Sequence, residues 1–305
     1  MRAPGGPVLA LGLLAVLAGV LGRGLPAGEG ATVPGQLPVV ASNSVLADLA
    51  SEVGGPQVVV RALAPAGTDP HTFQPTPESM QALARARVVF YNGAGLEEWW
   101  DKTIRTAARR DVPVVELSKG LATLRLPGDA GAEPDPHAWL DPVLAQAYVE
   151  RIRDALAQAD PPRAGEYHER AQAYLAKLTA LDRWIRGQVD QVPPDRRKMV
   201  TFHDAFQYFA RRYGFTIEGF LVPSPGKEPS AKALAGLARR IREARVPAVF
   251  AEADFNPKML EVLGRDAGVK VVTNLYDGSL SNGPPADSYL ALMRHNVTTI
   301  VDALK

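Results

Sequence analysis

The sequence predicts an α/β protein built as two parallel-sheet halves joined by one long helix. Short β-branched runs alternate with longer helical patterns, which is how strands and crossover helices of a parallel sheet read. These runs fall into two sets. Between the sets lies a stretch free of internal proline, with apolar residues every three or four positions, and that spacing describes a single helix.

In chain order, Arg2 precedes an apolar run from Pro7 to Gly22 that contains no acidic residue, the pattern of a secretory signal peptide. The run is shorter than the roughly 20 residues of a spanning helix, so cleavage of residues 1–27 is expected, with a retained anchor as the alternative. Loss of Arg2 and Arg23 leaves 32 basic against 33 acidic residues. The mature chain is expected in the periplasm or otherwise outside the cytoplasm. The first set of strands is LPVVAS (37–42), QVVVRAL (57–63), ARVVFYNG (86–93) and VPVVELS (112–118), with helices at 45–54 and 77–86 among them. The second is KMVTFHD (198–204), GFTIEGF (214–220), PAVFAE (247–252) and VKVVTN (269–274). The joining helix is read at 164–192, with Asp160 as its N-cap, Pro161 and Pro162 in its first turn, and Pro193 and Pro194 beyond its end. Tyr167, Ala171, Tyr174, Leu178, Leu181, Ile185 and Val189 form its apolar stripe. At 1.5 Å per residue it spans about 43 Å, a stiff connector. The organisation predicted is a signal segment 1–27, a first lobe 37–160, a connector 161–194 and a second lobe 195–305.

Composition excludes several functions. Lys and Arg number 34 against 33 Asp and Glu, so no polyanion such as nucleic acid is expected as a partner. The chain has no cysteine, which removes disulfides, thiolate metal sites, Cys nucleophiles and a lipid-modified Cys. Any metal must therefore be held by His, Asp or Glu.

Three of the five histidines sit where open α/β sheets place ligands, at strand-to-helix or loop-to-helix junctions. His71 lies in the loop APAGTDPHTFQPTP, His137 in the proline-bounded loop EPDPHAWLDP, and His203 ends the strand KMVTFHD. Each has an aspartate beside it: Asp69, Asp135 and Asp204. A carboxylate next to a metal-bound imidazole fixes its tautomer, so Asp69 and Asp135 are supporting or alternative ligands. Asp204 reads better as the N-cap of the next helix. His168, mid-connector, and His295, in the terminal amphipathic stretch 288–304, read as ordinary surface residues. Three neutral imidazoles leave a cation's charge uncompensated, so a carboxylate from the second half is expected. Asp277, in the loop NLYDGSLS, is preferred, with Glu252 at the end of PAVFAE as the alternative. The glycines at 278 and 283 suggest that the Asp277 loop is the one that moves when the ion leaves.

From about Pro38 to its end the chain resembles the periplasmic solute-binding proteins of zinc/manganese ABC transporters. The resemblance rests on GTDPHTFQPTP, DPHAWLDP, TFHDAFQYFARRYG, FAEADFNPKMLEVL, LYDGSLS and SYLALMRHNVTTI. It implies two α/β lobes joined by a rigid helix with one metal at their interface. It also implies His71, His137, His203 and Asp277 as the ligands, and a monomer that works with a cognate membrane permease. Two departures stand out: residues 119–136 are short and lack the His-rich loop of many zinc members, and the absence of cysteine forbids the disulfide that some carry.

Three imidazoles and one carboxylate suit Zn²⁺, whereas Mn²⁺ prefers oxygen-rich sets and manganese members of the resembled family usually carry Glu where His203 stands. Zinc is the expected cargo and manganese the alternative. The rival from another class is a His₃ zinc hydrolase with Asp277 as its base, but neither an H-E-x-x-H helix nor a nucleophile elbow supports an enzyme. An adhesin-like surface protein lacks a repeat stalk here, and a corrinoid or haem binder would not need three convergent histidines.

Overall fold

The computed structural model describes residues 35–121, 124–126 and 133–305, together with Met1. The rest of the expected signal segment lies outside the described residues. The first half runs β1 (Leu37–Asn43), α1 (Ser44–Gly54), β2 (Val58–Ala64), α2 (Pro77–Arg85), β3 (Val88–Tyr91), α3 (Trp100–Ala107) and β4 (Val114–Glu116). A short antiparallel ladder of β5 (Arg125–Leu126) and β6 (Glu133–Pro134) precedes α4 (Pro142–Ala159) and the connector α5 (Ala164–Val189). The second half runs β7 (Lys198–His203), α6 (Gln207–Tyr213), β8 (Thr216–Val222), α7 (Ala231–Ala244), β9 (Ala248–Glu252), α8 (Lys258–Ala267), β10 (Lys270–Leu275) and the terminal α9 (Tyr289–Leu304).

Both four-stranded sheets are wholly parallel, with orders β2-β1-β3-β4 and β8-β7-β9-β10. The two orders are the same topology: the first strand of each half lies beside both the second and the third. The chain reverses its direction of winding there, and a crevice opens at the carboxyl ends of those two strands. β1 and β9 are buried almost throughout, as strands covered by helices on both faces must be.

Local chemistry sets the helix ends. Asn43 caps α1 by accepting from the Leu46 N–H at 3.0 Å, and Gly55, at φ 57°, takes the backbone out of it. Thr76 and Ser79 close a reciprocal cap on α2, and Asp141 caps α4 through the Val143 N–H. The connector departs from expectation at its start. Pro161 and Pro162 take a separate tight turn, the helix begins at Ala164, and Asp160 caps nothing on it. Its carboxylate instead accepts from the Tyr167 hydroxyl at 2.9 Å and from Arg163 at 2.8 Å. At 26 residues, α5 spans about 39 Å.

All seven residues of the α5 stripe are buried, and they join a core that continues from Val39 on β1 to Leu304 on α9. At the back of the molecule Arg212 of α6 reaches Asp182 of α5 at 2.8 Å and the α4 cap Asp141 at 3.0 Å. The Tyr213 hydroxyl donates to the same Asp182 oxygen. The connector is thus fastened to both halves by apolar packing and by shared charge. No helix among the described residues is long and apolar enough to cross a membrane.

Leu178→Ala is expected to destabilise the chain by about 2–5 kcal/mol, because it empties fully buried volume in the connector's packed face. Gln172→Ala on the exposed face should stay within about 0.5 kcal/mol. Urea unfolding of both variants measures the difference, and equal stabilities would contradict the assigned faces.

Candidate metal centre

Each chemistry-bearing histidine is held by a local device. In the β2–α2 loop the Asp69 carboxylate accepts from the His71 N–H at 3.0 Å and from the Thr72 hydroxyl at 2.7 Å, a side-chain turn that fixes the loop. The Trp99 indole N–H donates to the Pro70 carbonyl at 2.9 Å. Asp69 therefore grips the backbone at His71 and the hydroxyl of Thr72, not the imidazole ring.

His137 is held differently. Asp135 Oδ1 takes the His137 backbone N–H at 2.9 Å and lies 2.8 Å from the ring Nδ1. With the Nδ1 proton directed at a carboxylate, the Nε2 lone pair is the free one. The loop itself hangs from the crevice of the first sheet. Asn92, just after β3, donates to the Pro136 carbonyl at 3.0 Å and accepts from the Tyr148 hydroxyl at 2.7 Å. Buried Glu97 fixes the backbone of Asn92 and Gly93 and takes the Ser42 hydroxyl.

His203 is the last residue of β7, and Glu252 the last of β9, so both stand at the crevice of the second sheet. Asp204 does not cap the following helix. The Ala205 N–H turns back to the His203 carbonyl, the helix starts only at Gln207, and Asp204 Oδ1 accepts from the Gln207 side chain instead. Asp277 follows β10.

These devices bring the imidazoles together. His71 Nε2 lies 3.2 Å from His137 Nε2, His137 Nε2 lies 3.3 Å from His203 Nε2, and His203 Nε2 lies 3.2 Å from Asp277 Oδ2. The three imidazoles each offer one donor atom within 4.8 Å of the others. A tetrahedral ion with bonds of about 2.05 Å requires donors about 3.3 Å apart, so these three distances match three edges of such a set, with Asp277 joined to the imidazole group through His203 and outside the trio whose donors are mutually close. His137, His203 and Asp277 are buried, and His71 is half-buried. His168 is exposed on α5, where its Nδ1 meets the Ala164 carbonyl, and His295 meets the Asn274 carbonyl. Neither joins the cluster.

Protons are distributed unevenly over the site. Burial, with the neighbouring His137, pushes the His203 imidazole far down and that of His71 down to about 3. Burial alone would lower His137 as well, but the Asp135 hydrogen bond and the charges of Asp135 and Asp277 outweigh it and raise it. Burial raises Asp277 to about 7, and burial with the nearby Asp277 charge raises Glu252 well above the carboxylate range. Both Glu252 oxygens and His203 Nδ1 are buried without a hydrogen-bond partner, and they face each other at 3.9 Å. A metal on His203 Nε2 would place the ring proton on Nδ1, aimed at that carboxylate.

Sequence reasoning missed the residues that hold the loops: Asn92, Glu97, Tyr148 and Trp139. Trp139 was visible inside DPHAWLDP, but nothing in the sequence said that its indole N–H donates to the Asp277 carbonyl at 2.7 Å across the interface.

The model of the family described as zinc-uptake complex component A, periplasmic, matches residues 39–303. The manganese-binding lipoprotein MntA of Halalkalibacterium halodurans is 35% identical over 269 residues, 88% of each chain. The iron ABC transporter substrate-binding lipoprotein MtsA of Streptococcus pyogenes is 29% identical over 277 residues, 88% of this chain and 89% of the relative. The periplasmic zinc binding protein TroA of Treponema pallidum superposes with a TM-score of 0.83 at 31% identity, covering 88% of this chain and 99% of its own. With two parallel sheets joined by a long helix and a histidine cluster at their carboxyl ends, the chain belongs to the family of periplasmic metal-binding proteins that serve ABC transporters as substrate-binding components.

Proposed function

We propose that the chain is an extracytoplasmic carrier that captures one zinc ion between His71, His137, His203 and Asp277 and delivers it to a membrane permease. The observation that carries the reading is the chain of donor distances, 3.2, 3.3 and 3.2 Å, running through those four side chains. In this reading the first lobe is 37–160, the connector 161–194 and the second lobe 195–305. Residues 1–27 direct export, and the protein acts as a monomer.

The donor set supports zinc: three ring nitrogens and one carboxylate suit this borderline ion better than manganese, which favours oxygen. Manganese is the second reading, favoured by the name of the MntA relative. A carrier is also favoured over a hydrolase. A catalytic zinc keeps one position open for water, and here Asp277, 3.2 Å from His203 Nε2, is the carboxylate placed to fill the fourth position beside the three imidazoles. Metal analysis of chain isolated from its own compartment tests the assignment, with about one zinc per chain and no hydrolytic turnover expected.

Within this reading Glu252 steadies the loaded site by accepting the His203 Nδ1 proton. His203→Ala should weaken zinc binding more than about 100-fold, and Glu252→Gln by about 10–100-fold, as loss of a ligand's supporting carboxylate does. His168→Ala should leave binding unchanged. Competition titration with a chromophoric chelator measures all three, and equal losses for His203→Ala and His168→Ala would contradict the ligand set.

The second expectation concerns pH. At neutral pH His71 and His203 already lack a proton, whereas His137 and Asp277 are held up and must release theirs when the ion enters. Affinity should therefore fall as pH drops below 7, by about tenfold per pH unit for each proton displaced. Without metal, raised Asp277 and Glu252 hold more protons folded than unfolded between about pH 4 and 7, so their contribution to stability grows as pH falls. The contribution of bound zinc runs the other way. The zinc-induced rise in Tm is expected to be larger at pH 7.5 than at pH 5.5, and calorimetry showing the reverse would rule out this proton inventory.

A further inference from the structure

The even balance of charge over the whole chain conceals a segregation. Residues 37–160 hold 11 Lys and Arg against 16 Asp and Glu, whereas residues 195–305 hold 16 against 12, and of those 12 acids Asp204, Glu252 and Asp277 are buried at the metal centre. Much of the basic excess lies on one helix. Along α7 and its C-cap stand Lys232, Arg239, Arg240, Arg242 and Arg245, all exposed, with Glu243 as the one carboxylate. We infer that the outer face of α7, with the groove it makes against β8, is a docking surface for an anionic lipid membrane, separate from the metal centre.

The groove, of about 450 Å³, runs between α7 and β8, the edge strand of the second sheet. Small residues open it. Ala233, Gly236 and Arg240 recur three and four positions apart, so they share the side of α7 that lines the groove. A Cβ at Gly236 would meet nothing within 4 Å, whereas one at Gly219 of β8 would stand 2.7 Å from Leu237 Cδ1. Leu237 thus lies against the bare strand, and with Phe220 it gives the groove an apolar floor. Arg239 and Arg240 form the rim. Arg240 donates to the Glu218 carbonyl at 3.1 Å, and Arg239 Nε lies 4.0 Å from Glu243 Oε1. A guanidinium carries five N–H donors, so both keep donors for a phosphate oxygen.

Two observations favour a membrane surface over an acidic peptide. The cations are spread along all of α7, about 21 Å of helix, and so present a field instead of a single point, as groups of four to eight Lys and Arg do when they recognise anionic headgroups. The edge of β8 is also blunted against addition of a further strand. Arg240 occupies its Glu218 carbonyl, and its register with β7 slips between Met199 and Val200. A lipid needs neither of those backbone positions: its phosphate meets the arginine rim, and its glycerol and first methylenes meet Phe220 and Leu237.

Co-sedimentation of the zinc-loaded mature chain with vesicles of phosphatidylglycerol and phosphatidylcholine in equal parts tests the inference, with pure phosphatidylcholine vesicles for comparison. Binding is expected on the mixed vesicles alone, and it should vanish as salt rises from about 0.1 M to about 1 M and the screening length falls from about 10 Å to about 3 Å. Arg239→Ala with Arg240→Ala should weaken it about 25-fold, about fivefold for each cation. Gly236→Glu, which places a carboxylate in open space within the groove, should weaken it as well. Arg85→Ala with Arg87→Ala removes the same charge from the exposed surface of the first half and should leave binding unchanged. Failure to bind the mixed vesicles, equal binding to both kinds, or equal losses in the two double variants would overturn the inference. Tighter binding to an oligoglutamate peptide than to the mixed vesicles would assign the face to an acidic protein and overturn it too. Zinc uptake by the α7 variants should match that of the unaltered chain, so failure on vesicles leaves the four-ligand reading standing.

Discussion

Three imidazole nitrogens held within 3.2–3.3 Å steps of one another, two of the rings buried and one half-buried, are the constraint on which the rest of the structure depends. Neutral rings turn lone pairs toward each other at that separation, and charged rings would repel more strongly, so the cluster does not hold itself. Its support comes from the chain around it. Each half sends its loops to the carboxyl ends of its own sheet, where repeated topology opens a crevice in both. The Asp69 turn, the Asp135–His137 bond and the Asn92–Pro136 bond then fix individual residues. A divalent cation converts the same arrangement from repulsion to attraction, and for that reason binding and stability are two aspects of one equilibrium.

The two halves solve the tautomer problem with unequal completeness. Asp135 already faces His137 Nδ1 at 2.8 Å, whereas Glu252 stands 3.9 Å from His203 Nδ1 with neither atom partnered. One imidazole is oriented before any ion arrives, and the other has no hydrogen-bond partner on Nδ1. Burial without a partner is costly for both groups, roughly 1–3 kcal/mol each. That cost is carried at the ends of β7 and β9, where His203 and Glu252 stand.

What the sequence made legible were residues whose chemistry is announced by their surroundings. Histidines in proline-bounded loops or at strand ends have few roles open to them, and the α5 stripe follows from periodicity alone. Asp204 and Asp160 misled because an aspartate ahead of a helical pattern looks like a cap whatever the next turn does. The backbone turn at Ala205 and the proline turn at 161–162 gave those carboxylates other partners. Asn92, Glu97, Tyr148 and Trp139 were illegible for a different reason. Their partners lie 44, 55, 56 and 138 positions away along the chain, and only tertiary packing brings each pair together.

Residues 277–289 bond back to the first half, through Trp139, Ser44, Gly67 and Asp48. The chain passes between the halves near 190–197 and again near 275–277, two separated places. A body tethered to another at one point can turn in any direction, whereas one tethered at two keeps a single degree of freedom, rotation about the line through both. The second sheet is hung like a door on two pins. A rotation of the second sheet as one body would be confined to that line by covalent connectivity alone, and His203, as the last residue of β7, would turn with the strand that ends in it.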